Sequence, residues 1–298
     1  MKVTALAGGF GGARFARALA ESGVDLTVIG NVGDDEEILG LHVSPDLDGI
    51  LYALAGIGDE ERGWGRADET WHALETVGML GGETWFQLGD RDLGLHVLRT
   101  RALRAGEPLS AITARFTESL GVGAAVLPAT DDELRTRVVT PAGELSFQEW
   151  YVGRRHEDEV TAVRYAGDAE PAPGVVEAIT GADLIAIAPS NPYLSIGPIL
   201  AVPAIREAVE HRRAPAVAVS PLIGGRTVKG PADRMLERFA GGTTPAHVAS
   251  AYEGLIDRLV VDEADAGEGL IVTRTLMRDE ATRRALAEAV LEAAAIAR

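Results

Sequence analysis

The sequence predicts an α/β protein: a Rossmann-like three-layer core on a mostly parallel sheet, with an inserted, mainly helical lid that carries a small β-hairpin. Three observations lead there. The chain opens with an apolar run, Val3-Thr4-Ala5-Leu6-Ala7, which empties into Gly8-Gly9-Phe10-Gly11-Gly12, a helical stretch and a second apolar run over 25–29. Two later segments, 183–188 and 216–220, are apolar over 184–188 and 216–219, as strands are when helices cover both faces of their sheet. Between these groups the rhythm changes, with helical spacing followed by strand-like alternation around Pro141-Ala142-Gly143.

In chain order, residues 2–7 read as a strand, 12–22 as a helix with Phe15, Ala18 and Leu19 inward, and 25–29 as the strand that completes a βαβ unit, ended by Gly30-Asn31-Val32-Gly33. Segments 48–56 and 66–77 read as helices. The stretch 93–104 continues the pattern, with Leu93, Val97 and Leu98 spaced for one buried face. A helix to Leu120 starts at Leu109-Ser110, with Ser110 as its cap. A hairpin over 137–152 and an extended piece over 160–165 follow. The parallel rhythm then returns: strand 183–188, helix 203–211, strand 216–220, strand 258–262 and a closing helix 279–296. This divides the chain into a core of 1–59 with 166–298 and an insert of 60–165.

The chain has 298 residues, 46% hydrophobic and 24% charged, which suits a globular protein with a sizeable core. No apolar run reaches the roughly eighteen residues needed to cross a bilayer, and Glu21 and Asp25 interrupt the early apolar stretch, so neither a membrane span nor a signal peptide is expected. The absence of cysteine rules out disulfides, thiolate metal sites and thiol catalysis, and the cytoplasm is the expected compartment. A net charge of -17 argues against a nucleic-acid surface.

The glycine turn carries the first chemical signal. Glycines let backbone N–H groups crowd round an anion at the start of a helix, where the helix dipole adds to the attraction, so Gly8, Gly9, Gly11 and Gly12 are candidate phosphate ligands and Arg14 is a candidate partner. The second signal is Asp34, Asp35, Asp46 and Asp48, four carboxylates within a short stretch. Beside a phosphate they would repel it unless a cation joined them, which points to a divalent metal with oxygen ligands, Mg2+ first, with Asp35 and Asp48 favoured. Asp46 is equally placed to cap the helix that follows, and Asp46 and Asp48 diverge if Asp48 has entered that helix. Ser190, Asn191 and Ser195 supply short donors in a proline-fixed loop after the 183–188 strand, and Gly224 and Lys229 follow the next one. Asp90 is a candidate cap, and Trp64, Trp71, Trp85 and Phe86 are candidates to stack on a flat ring. His42, His72 and His96 have no metal-ligand spacing, and no nucleophilic triad can be assembled.

Read together, Gly8-Gly9-Phe10-Gly11-Gly12, Asn31-Val32-Gly33-Asp34-Asp35, Ser44-Pro45-Asp46-Leu47-Asp48, Leu88-Gly89-Asp90-Arg91-Asp92, Ala188-Pro189-Ser190-Asn191-Pro192 with Ser195-Ile196-Gly197-Pro198, and Val219-Ser220-Pro221-Leu222-Ile223-Gly224-Gly225 resemble the 2-phospho-L-lactate transferase family of coenzyme F420 biosynthesis, including its phosphoenolpyruvate-using branch. The resemblance implies transfer of phosphoenolpyruvate or 2-phospho-L-lactate from a guanosine diphosphate-linked donor to the terminal hydroxyl of the deazaflavin Fo. The products would be GMP and dehydro-F420-0 or F420-0. It further implies Mg2+ held by Asp35 and Asp48, with Asp46 as a third ligand, a donor or acceptor pocket near Ser190, Asn191 and the Gly8 to Gly12 loop, with Asn31 a further cofactor-binding candidate, an insert that shapes the acceptor pocket, and a homodimer. Other readings are a different nucleotide-dependent transferase, an NAD-dependent oxidoreductase and a non-enzymatic nucleotide sensor. The glycine spacing fits neither GxGxxG nor a P-loop.

Overall fold

The structure is a computed structural model and describes residues 1–296. The first part of the chain forms β1 (Lys2–Ala7), α1 (Gly9–Glu21), β2 (Asp25–Gly30), β3 (Glu36–Ile38), β4 (Leu41–Val43) and α2 (Pro45–Ala55). Next come α3 (His72–Met79), α4 (Asp90–Arg104), α5 (Leu109–Ser119), β5 (Ala125–Pro128), β6 (Arg135–Thr140), β7 (Gly143–Ser146) and β8 (Ala162–Ala166). The remainder is α6 (Val175–Thr180), β9 (Leu184–Ile187), α7 (Gly197–Leu200), α8 (Pro203–Glu210), β10 (Ala216–Val219), β11 (Leu222–Ile223), β12 (Arg226–Thr227), α9 (Ala232–Ala240), α10 (Pro245–Ser250), β13 (Arg258–Asp262), β14 (Ile271–Thr273) and α11 (Glu280–Ile296).

Seven strands make one sheet in the order β14-β13-β10-β9-β1-β2-β5, every neighbouring pair parallel. Successive side chains of a strand point to opposite faces, and the core divides accordingly. Val3, Ala5 and Ala7 face a layer containing Phe15, Leu19, Ile50, Leu51, Ile112, Leu286 and Val290, whereas Leu6, Ile185 and Ile187 face one containing Ile179, Ile205, Val209, Val248 and Tyr252. Helices on both faces leave β9 and β10 buried along their whole length, which is why those strands are apolar at every position. Phe15, Ala18 and Leu19 are inward, as their spacing requires. The 135–165 region forms a separate antiparallel sheet in the order β7-β6-β8.

Several expectations shift. β5 lies inside 60–165 yet forms an edge of the main sheet beside β2, so that span is not wholly separate from the core. The helix expected over 66–77 starts only at His72, because Asp68 takes a positive φ of 53° that breaks helical continuation. Val97 and Leu98 are 49% and 53% exposed, and α4 turns Asp92, His96 and Arg99 inward instead. Ser110 is not the cap of α5; Pro108 precedes the helix, and the Ser110 amide and hydroxyl both donate to Asp131. Asp90 caps α3 rather than its own helix, accepting from the His72 and Ala73 amides at 3.0 Å each.

Register positions the site. Ala7 pairs with Gly30 and Leu6 with Ile187, so β1, β2 and β9 finish level with one another. The loops leaving them, at Gly8, Asn31 and Ala188, therefore emerge side by side at the carboxyl end of the sheet.

Candidate active site

The glycine turn is the first turn of α1 itself, with Gly8 in extended conformation as its N-cap. Close approach demands glycine there. A Cβ on Gly8 would lie 2.7 Å from Asp46 Oδ2, 2.9 Å from Ser195 Cβ and 3.0 Å from Asn31 Cβ, and one on Gly11 would lie 2.6 Å from the Pro189 carbonyl oxygen. Four separate stretches of sequence thus meet at one point. Ser190 Oγ donates to the Gly8 carbonyl at 2.7 Å and fastens the 188–196 loop to the turn.

Asn31 is the hub. Its Nδ2 donates to Asp46 Oδ2 at 2.9 Å and to the Leu194 carbonyl at 3.4 Å, while its Oδ1 accepts from the Gly33 amide at 2.7 Å. The Gly33 turn this bond closes carries Asp34 and Asp35, both buried. Among the described residues Oδ1 of each has no hydrogen-bond partner. The other Asp35 oxygen accepts from Ser44 Oγ at 2.7 Å and lies 2.9 Å from His42 Nε2.

Pro45 starts α2, so Asp46 and Asp48 both sit in its first turn, where the helix dipole favours carboxylates. Two residues apart on a helix they diverge. Asp46 turns to the glycine turn; Asp48 turns to α4, where Arg99 grips both of its oxygens, Nη1 to Oδ2 at 3.0 Å and Nη2 to Oδ1, with His96 Nδ1 3.7 Å away. Arg99 is 1% exposed and Asp48 4%, which makes this a fully desolvated ion pair.

These surroundings move the titrations. Burial pushes Asp46 up to about 6, against the Asn31 and Gly9 hydrogen bonds and with help from the Asp35 charge. Burial, reinforced by the Asp46 and Asp35 charges, holds Asp34 well above the usual carboxylate range. His96 is lowered to about 4 by burial, with Arg99 and His42 adding to the effect against Asp48, so its ring is neutral. Burial alone would lower Arg99, but the Asp48 charge and hydrogen bond leave it raised. Perturbed titratable groups gathered in this way make the cluster a functional-site candidate.

The remaining predicted residues spread around this centre. Asn191 accepts from the Tyr193 and Leu194 amides at 2.9 and 3.2 Å, which shapes the turn that delivers Ser195. Arg14 donates to the Met277 and Glu60 carbonyls at 2.8 and 2.9 Å and lies over the Phe10 ring, so its guanidinium ties loops together beside the turn. Lys229 donates to the Arg62 carbonyl at 3.2 Å, with its ammonium 5.4 Å from the same ring. The Gly224 amide donates to Asp265 at 2.7 Å, so its partner is the chain's own carboxylate. Arg62 packs over Trp64 and Trp71 in the loop before α3. The sequence places His96 and Arg99 on the helix that follows Asp92 and offers its basic residues as substrate contacts, but an apolar stripe over Leu93, Val97 and Leu98 hides that Asp92, His96 and Arg99 form the inward face. Their spacing of four and three was the available signal for one polar face.

A family model described as 2-phospho-L-lactate transferase CofD matches residues 3–293. The chain belongs to that family. It is 47% identical to a Streptomyces griseus protein named phosphoenolpyruvate transferase, over 90% of this chain and 87% of that one. It is also 47% identical to the Streptomyces coelicolor protein of the same name, over 89% and 86% of the two chains, and 43% identical to the Mycobacterium tuberculosis one, over 90% of each. A solved structure from Bacillus halodurans, of the upf0052 family, superposes with a TM-score of 0.63 at 20% identity, covering 97% of this chain and 99% of that one, and shows the shared fold. As a family member the chain is a transferase of the phosphoenolpyruvate and 2-phospho-L-lactate type. No helix among the described residues is long and apolar enough to cross a membrane.

Proposed function

We propose that this transferase moves phosphoenolpyruvate, or 2-phospho-L-lactate, from a guanosine diphosphate-linked donor to the terminal hydroxyl of Fo, releasing GMP. The observation that carries this reading is the meeting of the glycine turn with Asp46, Asn31 and Ser195, which joins an anion-binding helix start to a carboxylate cluster. The relatives named phosphoenolpyruvate transferase favour enolpyruvate as the transferred acid.

The carboxylates also bear on the metal. Two buried aspartate oxygens without partners among the described residues, on Asp34 and Asp35, suit a hard cation, whereas Arg99 already occupies Asp48. No group of three or more His, Cys, Asp or Glu among the described residues is arranged as a complete metal site. Mg2+ does not require one, since it is commonly held by one or two carboxylates together with phosphate oxygens and water. Asp35 and Asp46, with Asp34, would hold it in this reading, and Asp48 would serve by fixing Arg99 and His96. When bound, Mg2+ offsets charge on the diphosphate.

The chain's own groups do the rest. Backbone amides at the start of α1 hold the diphosphate, and the Asn31 hub fixes Asp46 against them. The Fo hydroxyl oxygen bonds to the phosphorus bearing the three-carbon acid, the bond from that phosphorus to the GMP oxygen breaks, and GMP leaves with the electron pair. The hydroxyl proton passes to a site carboxylate. A homodimer belongs to the same proposal, since Met79 and Leu80 at the end of α3 and Val97 and Leu98 on α4 are exposed apolar side chains that a second copy would cover.

The test is one assay: purified protein, Fo, synthetic enolpyruvyl and lactyl donors, and Mg2+, following GMP release and product mass. Stoichiometric GMP and a product heavier than Fo by the phospho-acid are expected. Nucleotide binding without product, or turnover unchanged across a Mg2+ titration, would overturn the reading.

A further inference from the structure

Beyond the carboxylates, the segment after β7 reaches the site. Gln148 donates its Nε2 to the Asp34 carbonyl at 2.8 Å and pins this segment to the aspartate turn. Three residues on, the Tyr151 ring stacks on Phe147 at 5.1 Å and 14° and on His156 at 5.0 Å and 29°. His156 is itself fixed. It follows Arg155 with both residues at positive φ, 53° and 45°, and Arg234 of α9 holds it, with Nη2 2.8 Å from the ring Nδ1 and 2.8 Å from the His156 carbonyl oxygen to which it donates. The phenol is therefore an ordered group, because two rings and a guanidinium restrict it.

Its hydroxyl lies beside Gly230, on the loop whose Lys229 reaches Phe10 of the glycine turn. A Cβ on Gly230 would lie 3.3 Å from Tyr151 Oη, and Gly230 follows Lys229, whose ammonium lies over Phe10. The hydroxyl has no hydrogen-bond partner among the described residues and is not sealed away from solvent. Burial raises its pKa, and the Asp46 and Asp34 charges raise it further, so it keeps its proton at neutral pH. Beside carboxylates that repel an anion, a neutral donor attracts a phosphoryl oxygen without adding charge of its own.

We propose that Tyr151 binds the donor substrate, its hydroxyl donating a hydrogen bond to a phosphoryl oxygen of the nucleoside diphosphate held at the glycine turn. The proposal rests on the reading above, in which the donor is guanosine diphosphate-linked. Ordered by Phe147, His156 and Arg234, the phenol selects the diphosphate end of the donor.

The experiment compares the unaltered protein with Tyr151→Phe, which removes one oxygen and keeps the ring. GDP binding with Mg2+ is measured by calorimetry, and kcat and both KM values by turnover. Loss of one hydrogen bond to a charged oxygen is expected to raise the GDP Kd and the donor KM about tenfold, with kcat, acceptor KM and thermal midpoint little changed. Equal GDP affinity in the two proteins, or a shift confined to the acceptor KM, overturns the proposal alone. Failure of the unaltered protein to bind GDP overturns the parent reading and this proposal with it.

Discussion

Asp46 and Asp48 stand two residues apart in the same helical turn, yet neutralising them in the metal-free protein should change stability in opposite directions. Asp48→Asn leaves the Arg99 guanidinium, 1% exposed, without its anion. Breaking a buried pair in this way costs about 3–5 kcal/mol. Asp46 behaves differently. Its carboxyl titrates at about 6 in the folded protein, against about 3.9 in an unfolded chain, so between those values the folded state holds a proton that the unfolded state has released. Stability then falls as pH rises through that window, and above it the folded protein bears a cost of about 3 kcal/mol at most, which an uncharged amide escapes. The amide that Asp46→Asn introduces also keeps an oxygen to accept from Asn31. An unfolding entropy of about 2.1 cal/mol/K per residue, over 298 residues, gives roughly 0.6 kcal/mol/K, so the midpoint moves about 6 °C down for Asp48→Asn and up to about 5 °C up for Asp46→Asn. Thermal unfolding by circular dichroism in EDTA at pH 7.5 checks this, backed by urea titration. Shifts of the same sign, or both within about 1 °C of the parent, would refute the division of roles between the two aspartates.

Added Mg2+ with GDP should raise the thermal midpoint more at pH 7.5 than at pH 5, because protons compete for Asp46 and Asp34 at the lower pH; scanning calorimetry at both pH values tests it, and a larger shift at pH 5 would contradict the assignment. Gly11→Ala should cost about 1–3 kcal/mol and weaken GDP binding at least about tenfold, since its Cβ would press on the Pro189 carbonyl; unchanged urea midpoint and GDP affinity would show that the turn tolerates a side chain. Asn31→Ala should cost about 1–3 kcal/mol by leaving the buried Gly33 amide unpaired and should lower turnover through a displaced Asp46, read by urea titration and by GMP release.

What composition and periodicity determined by themselves is the layered architecture. The apolar runs 184–188 and 216–219 read as strands covered on both faces, and the glycine run between a strand and a helix read as a place where backbone N–H groups could crowd round an anion. The site was legible as a set of segments, because Gly8–Gly12, Asn31–Asp35, Asp46–Asp48 and Ser190–Ser195 each follow or open an element whose end is readable. Which carboxylate faces which partner was not legible. That depended on two facts outside any local window: the level strand ends that bring Gly8, Asn31 and Ala188 side by side, and the polar face of α4, which reaches Asp48 across 51 residues of chain. Local sequence sets a residue's backbone angles and the face it occupies. Strand register and helix packing decide what stands opposite that face, and so separated Asp46, turned toward the glycine turn, from Asp48, locked to Arg99.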